Sequence, residues 1–113
     1  MPRYLLLNYI PADRKPTPQE IAEEHPRWAA YAQELTDAGL LVASHGMQGP
    51  EVATTVRVRD GETLMTDGPY AETKEMLAGV FVIDADDLDT ALEQAARMPS
   101  SEYGAVEVRP SWG

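Results

Sequence analysis

The segment Arg3-Tyr4-Leu5-Leu6-Leu7-Asn8-Tyr9-Ile10 constrains this chain more than any other. Its residues are nearly all apolar or aromatic, and Arg3 is its only charge. A short run of this kind is expected as a central strand buried on both faces, because apolar side chains then point to both sides of the pleat. It is far short of the roughly 20 apolar residues that cross a bilayer. It carries no small-residue cleavage site, so it reads as a first strand and not as a secretory leader, and a cytoplasmic protein is expected. Pro11 and Pro16 stop the strand and frame a polar loop.

The remaining segments supply what such a strand needs. Thr17-Pro18-Gln19-Glu20 is a helix start, with Thr17 as cap, Pro18 at the first helical position and Glu20 completing a capping box. Ile21, Trp28, Ala32 and Leu35 continue a helical stripe to Gly39, and Pro26 predicts a kink or break near Glu24-His25. Leu40–Ser44 reads as a strand, and His45–Pro50 as a loop by its glycines and proline. Thr54–Arg59 alternates, with Val56 and Val58 on one face and Thr55, Arg57 and Arg59 on the other. Asp60-Gly61 is a hairpin turn, and Glu62–Thr66 returns. Ala78–Ile83 is a further buried strand. Leu88, Ala91, Leu92, Ala95 and Ala96 form an amphipathic stripe behind a cluster of aspartates that suits a helix start. Ala105–Arg109 is the last strand.

The order is strand, helix, strand, hairpin, strand, helix, strand. Without the hairpin this is a βαβ-βαβ repeat, so a single α+β domain of ferredoxin-like topology with an inserted β-hairpin is expected over residues 1–113. Both helices then lie on one sheet face, and the bare face predicts a homodimer packed sheet to sheet.

Composition narrows the partners. With 19 acidic against 9 basic residues the net charge is −10, which repels phosphates and anionic membranes, so neither nucleic acid nor membrane is expected as a partner. Cysteine is absent, which removes disulfides, thiolate metal sites and cysteine nucleophiles. The two histidines, His25 and His45, lack ligand spacing, and no phosphate loop or nucleotide fingerprint is present, so no metal and no cofactor is expected.

The chemistry that remains is concentrated in Asp67-Gly68-Pro69-Tyr70-Ala71-Glu72-Thr73-Lys74-Glu75. Asp67 before Gly-Pro suits an Asx turn, Gly68 suits unusual backbone angles, and a short helical turn is expected around Ala71–Thr73. Turn geometry accounts for these residues, and Glu72, Lys74 and Glu75 exceed what a turn requires. They read either as solvated charges, as an acidic cluster on a pocket rim, or as a segment that crosses to a partner subunit. Crowded carboxylates raise one another's pKa and suit acid–base work. The candidate catalytic residues are therefore Asp67, His45 and Lys74. The candidate ligand-binding residues are Arg57, Tyr70, Glu72 and Glu75. Trp28, Tyr4, Tyr9 and Phe81 are expected in the core.

The same residues carry a family resemblance. Thr54–Arg57, Asp60-Gly61 and the run 67–75 resemble the signature of the YCII-related, DGPF-domain proteins, with Tyr70 where the name-giving motif has Phe. Gly79, Ala96-Arg97-Met98-Pro99, Gly104 and Val106–Pro110 resemble that family's second half. The resemblance implies a dimeric α+β barrel. It implies an uncharacterised small-molecule-binding or accessory regulatory domain, in some relatives linked to sigma factors, so a sigma-factor-linked partner is one expectation. Distant relatives resemble small lyases that use a His–Asp pair, with the His on the first helix. Here Trp28 stands at that position and His25 lies three residues earlier. An acid–base lyase or isomerase built around 67–75 is the alternative expectation.

Overall fold

A computed structural model describes residues 1–112. Six strands and two helices follow in the order β1 (Arg3–Pro11), α1 (Pro18–Asp37), β2 (Leu41–Gly46), β3 (Thr54–Arg59), β4 (Glu62–Asp67), β5 (Glu75–Asp84), α2 (Leu88–Arg97) and β6 (Ala105–Pro110). Short 3-10 turns at Pro50–Val52 and Pro99–Glu102 join the regular elements.

The main sheet has the order β2-β5-β1-β6, and every neighbouring pair is antiparallel. That is the ferredoxin-like arrangement, with β1 and β5 central. It is an open sheet and not a closed barrel. β3 and β4 form a separate two-stranded sheet, hydrogen-bonded to neither edge of the main one. Asp60 and Gly61 make its turn at positive φ (51° and 77°), as an Asp-Gly hairpin requires. All but one of the hairpin's strand residues are exposed, Val56, Val58, Leu64 and Met65 among them. With the hairpin as an arm, the molecule is flat, with extents of 47 × 40 × 19 Å.

Thr17 caps α1 as its sequence implies. Its hydroxyl accepts from the Glu20 N–H, and the Glu20 carboxylate accepts from the Thr17 N–H. The helix runs through Pro26 without the break expected there. Loss of one N–H is tolerated because Tyr31 and Leu35 anchor the following turns in the core. Gly39, at φ 73°, ends the helix region. Ile21 is exposed, so the buried stripe of α1 begins later than its spacing suggests. On α2 the small residues Ala91 and Ala95 face inward while Leu88 and Leu92 lie exposed beside them. The stripe is real, and its centre is turned towards the alanines.

Alternation along β1 decides where the core sits. Tyr4, Leu6 and Asn8 are buried, and Leu5, Leu7 and Tyr9 are half-buried. Tyr4, Leu6, Ile83, Tyr31, Leu35, Ala91, Ala95 and Met98 form the core between sheet and helices, with Trp28 and Phe81 packed against it. Strand pairing puts Leu5 beside Val82, Leu7 beside Val80, and Tyr9 beside Leu77 on the opposite face. No element of the described chain covers that face, so the expectation of cover on both sides holds for one side only. Tyr9, expected in the core, lies on this open face with Leu5 and Leu7, because alternation along β1 carries it there.

Candidate functional site

β2 extends to Gly46, so His45 sits in an edge strand opposite Val80 and not in a loop. β5 begins at Glu75, which places the last residue of the 67–75 segment inside a central strand. Between Asp67 and Glu75 the chain bends without a helical turn. Gly68 adopts φ 104°, a left-handed value that favours glycine. Asp67 closes no Asx turn. The bend is held by the Gly68 N–H donating to the Ala53 carbonyl at 2.8 Å and by the Thr55 hydroxyl donating to the Gly68 carbonyl at 2.9 Å. The Thr73 hydroxyl donates to the Glu75 carbonyl.

Two concavities flank the start of β5, and Gly46 lines both. The larger is an open groove of about 1190 Å³ under the 67–75 segment. Met47, Val52, Met76 and Leu77 give it an apolar floor, and Tyr70, Glu72 and Glu75 line it as well. Tyr70 is 78% exposed. Asp67, Glu72, Lys74 and Glu75 are all exposed, and among the described residues none takes part in an ion pair. Asp67 and Lys74 do not line the groove, and His45 lines the other cavity. The proposed catalytic trio is thus not gathered in one place. Two of the expected ligand-binding residues do meet, since Arg57 sits over the Tyr70 ring at 5.2 Å from its centroid.

The smaller cavity, about 370 Å³, lies on the helix side, between α1 and the sheet. Its aromatic wall is Trp28 and Phe81, whose rings stand 6.1 Å apart and nearly parallel at 19°. Its polar lining includes Asn8, Arg14, Glu24 and Tyr103, together with Ser44 and His45. Arg14 donates to the Glu24 carboxylate, and both side chains are about four-fifths buried, at 18% and 21% exposure. The Arg14 guanidinium also lies over the Tyr103 ring, 3.8 Å from the centroid. Burial pushes the Tyr103 phenol above its ordinary value, against the opposing pull of Arg14, so it enters the site as a neutral hydroxyl. Asn8 is buried, and its side-chain oxygen accepts from the Ser100 hydroxyl. Among the described hydrogen bonds its amide nitrogen has no partner, and no buried polar atom is left unsatisfied, so that nitrogen opens to the cavity. Gly79 keeps the floor low here, since a Cβ on it would stand 2.9 Å from the His45 carbonyl oxygen.

This second cavity drew no attention from the sequence. Arg14 and Glu24 are ten residues apart, and Tyr103 joins them from the far end of the chain. The one available signal was Asn8, a polar residue within an apolar strand. Among the described residues no group of three or more His, Asp or Glu is placed to hold a metal ion. No helix is long and apolar enough to cross a membrane.

Topology and cavities together define a ferredoxin-like α+β domain with a helix-side pocket and an added hairpin arm. The YCII-related domain model matches residues 2–112, and the chain belongs to that family. It is 38% identical over 84 residues to "Uncharacterized protein R00369" of Rhizobium meliloti (strain 1021), an alignment covering 73% of this chain and 68% of that protein.

Proposed function

We propose that this protein is a homodimeric small-molecule-binding domain that takes its ligand in the helix-side pocket and acts as an accessory or regulatory module. The observation that carries the reading is the Asn8 amide, buried and open to a cavity whose charged pair, Arg14 and Glu24, is itself four-fifths buried. Buried polar groups are expensive unless they are used, and a half-enclosed apolar cavity with a few convergent polar atoms is the usual form of a ligand site.

The homodimer is supported by the open sheet face. Leu5, Leu7, Val80 and Val82 form a contiguous apolar surface with no cover among the described residues. A second copy covers it by symmetry and extends over the groove at Tyr9, Met76 and Leu77. In this reading Tyr70, Glu72 and Glu75 line the partner side of the groove, and Arg57 steadies Tyr70. Binding is favoured over acid–base catalysis because the half-buried charges lie in the helix-side pocket, while the carboxylates and lysine of 67–75 stand in solvent.

A fragment screen by protein-observed NMR tests the site. Hits should move the Trp28 indole N–H and the Gly79 amide. A screen with no hits, or with hits that move only the hairpin and 67–75, overturns it. Sedimentation at micromolar concentration tests the dimer, and a monomer overturns that part.

A further inference from the structure

The helix-side pocket is charge-balanced before any ligand arrives. It holds one guanidinium and one carboxylate, and they are paired with each other. An anion entering it meets an Arg14 already neutralised by Glu24, in a chain of net charge −10. It would leave a half-buried site with surplus negative charge and unrecovered desolvation cost. A cation would leave the opposite surplus. An uncharged ligand preserves the balance.

The other surfaces narrow the shape. Trp28 and Phe81, stacked on one another with rings 6.1 Å apart and 19° from parallel, both border the cavity and offer it aromatic surface. The cavity of about 370 Å³ is small for a ligand site; such sites run from roughly 300 to 1,000 Å³. Hydrogen-bonding atoms of both kinds are available. The Asn8 amide nitrogen is a free donor among the described residues, and Arg14 has guanidinium N–H groups beyond the one given to Glu24. The second Glu24 oxygen and the Tyr103 hydroxyl accept.

We infer that the ligand is an uncharged, planar molecule with a hydrogen-bond acceptor and donor side by side, of the aromatic primary amide or lactam class. The acceptor meets Asn8 and Arg14, the donor meets Glu24, and the ring lies along Trp28 and Phe81. The inference rests on the helix-side pocket being the ligand site.

Benzamide, benzoate and benzamidine share one ring and nearly one size and differ in charge. The chain has two tryptophans, so Trp112→Phe leaves Trp28 as the single emitter, and Trp112 is fully exposed and lines neither cavity. Titrated against this variant, benzamide should quench or shift Trp28 emission at least about tenfold more tightly than either charged probe. Glu24→Gln removes the balancing carboxylate and should raise benzoate affinity relative to benzamide by about tenfold. Tightest binding by benzoate or benzamidine overturns the ligand class while the pocket stands. An order that Glu24→Gln does not alter overturns the charge-balance argument. No response of Trp28 to any of the three overturns both the pocket and the ligand class.

Discussion

Arg57 of β3 lies over the ring of Tyr70, its guanidinium carbon 5.2 Å from the centroid. The contact links the hairpin arm to the 67–75 segment, and both of its partners are largely exposed. An isolated two-stranded hairpin is marginal in water, so a contact that ties it to the following segment matters more than its size implies. A double-mutant cycle with Arg57→Ala and Tyr70→Ala, followed by urea denaturation, should give a coupling of about 0.5–1 kcal/mol. Tyr70→Phe should retain it, because the ring face and not the hydroxyl makes the contact. A coupling of zero would show that the two residues meet without energetic consequence.

Gly104 permits the closest backbone approach among the described glycines. A Cβ there would land on the Tyr9 carbonyl oxygen and stand 3.2 Å from the Ile10 Cα. The β1 backbone cannot turn away as a side-chain end could. Gly104→Ala should therefore cost about 3 kcal/mol or more in urea denaturation. Gly79→Ala, with its single closest contact at 2.9 Å, should cost less.

The α1 capping box is reciprocal, with Thr17 and Glu20 each accepting from the other's N–H. Thr17→Ala should destabilise by about 1 kcal/mol, and Thr17→Asp by much less, since aspartate caps as well. Equal losses in the two variants would point to a cause other than the cap.

Acid should weaken the fold through carboxylates that hold specific hydrogen bonds. The Thr90 N–H lowers the Asp87 pKa at the start of α2, and the Arg3 guanidinium lowers that of Asp84. A carboxyl whose folded pKa is depressed contributes stability above its unfolded value, near pH 4, and loses it as pH falls through the lower folded value. Urea midpoints should thus hold from neutrality to about pH 5 and fall below about pH 4. Asp87→Asn keeps a capping oxygen without a titrating group, so it should flatten part of that fall while leaving the neutral midpoint nearly unchanged. A wild-type slope in Asp87→Asn would remove Asp87 from the account.

Val80 stands on the open sheet face opposite Leu7 and His45. In the proposed dimer this face is buried, so Val80→Lys should yield a folded monomer, with native circular dichroism and half the mass in sedimentation. A variant that stays dimeric at the same concentration would move the interface elsewhere.

The sequence by itself determined the elements and their order. Capping box, Asp-Gly hairpin, two helical stripes and the apolar first strand are local patterns, and each formed near where its residues place it. The four-strand order follows from that succession by the handedness of βαβ units. Local signals failed where packing outweighed them. Pro26 did not break α1, because Tyr31 and Leu35 are buried beyond it. Tyr9 left the core because alternation along β1 sets it on the open face with Leu5 and Leu7. Only the tertiary structure decided which charges lie together. The conspicuous residues of 67–75 stand in solvent, whereas Arg14, Glu24 and Tyr103, unremarkable in sequence, close around Asn8. Local sequence encodes backbone conformation, but a pocket is a meeting of distant segments, and its membership is set by how sheet and helices pack.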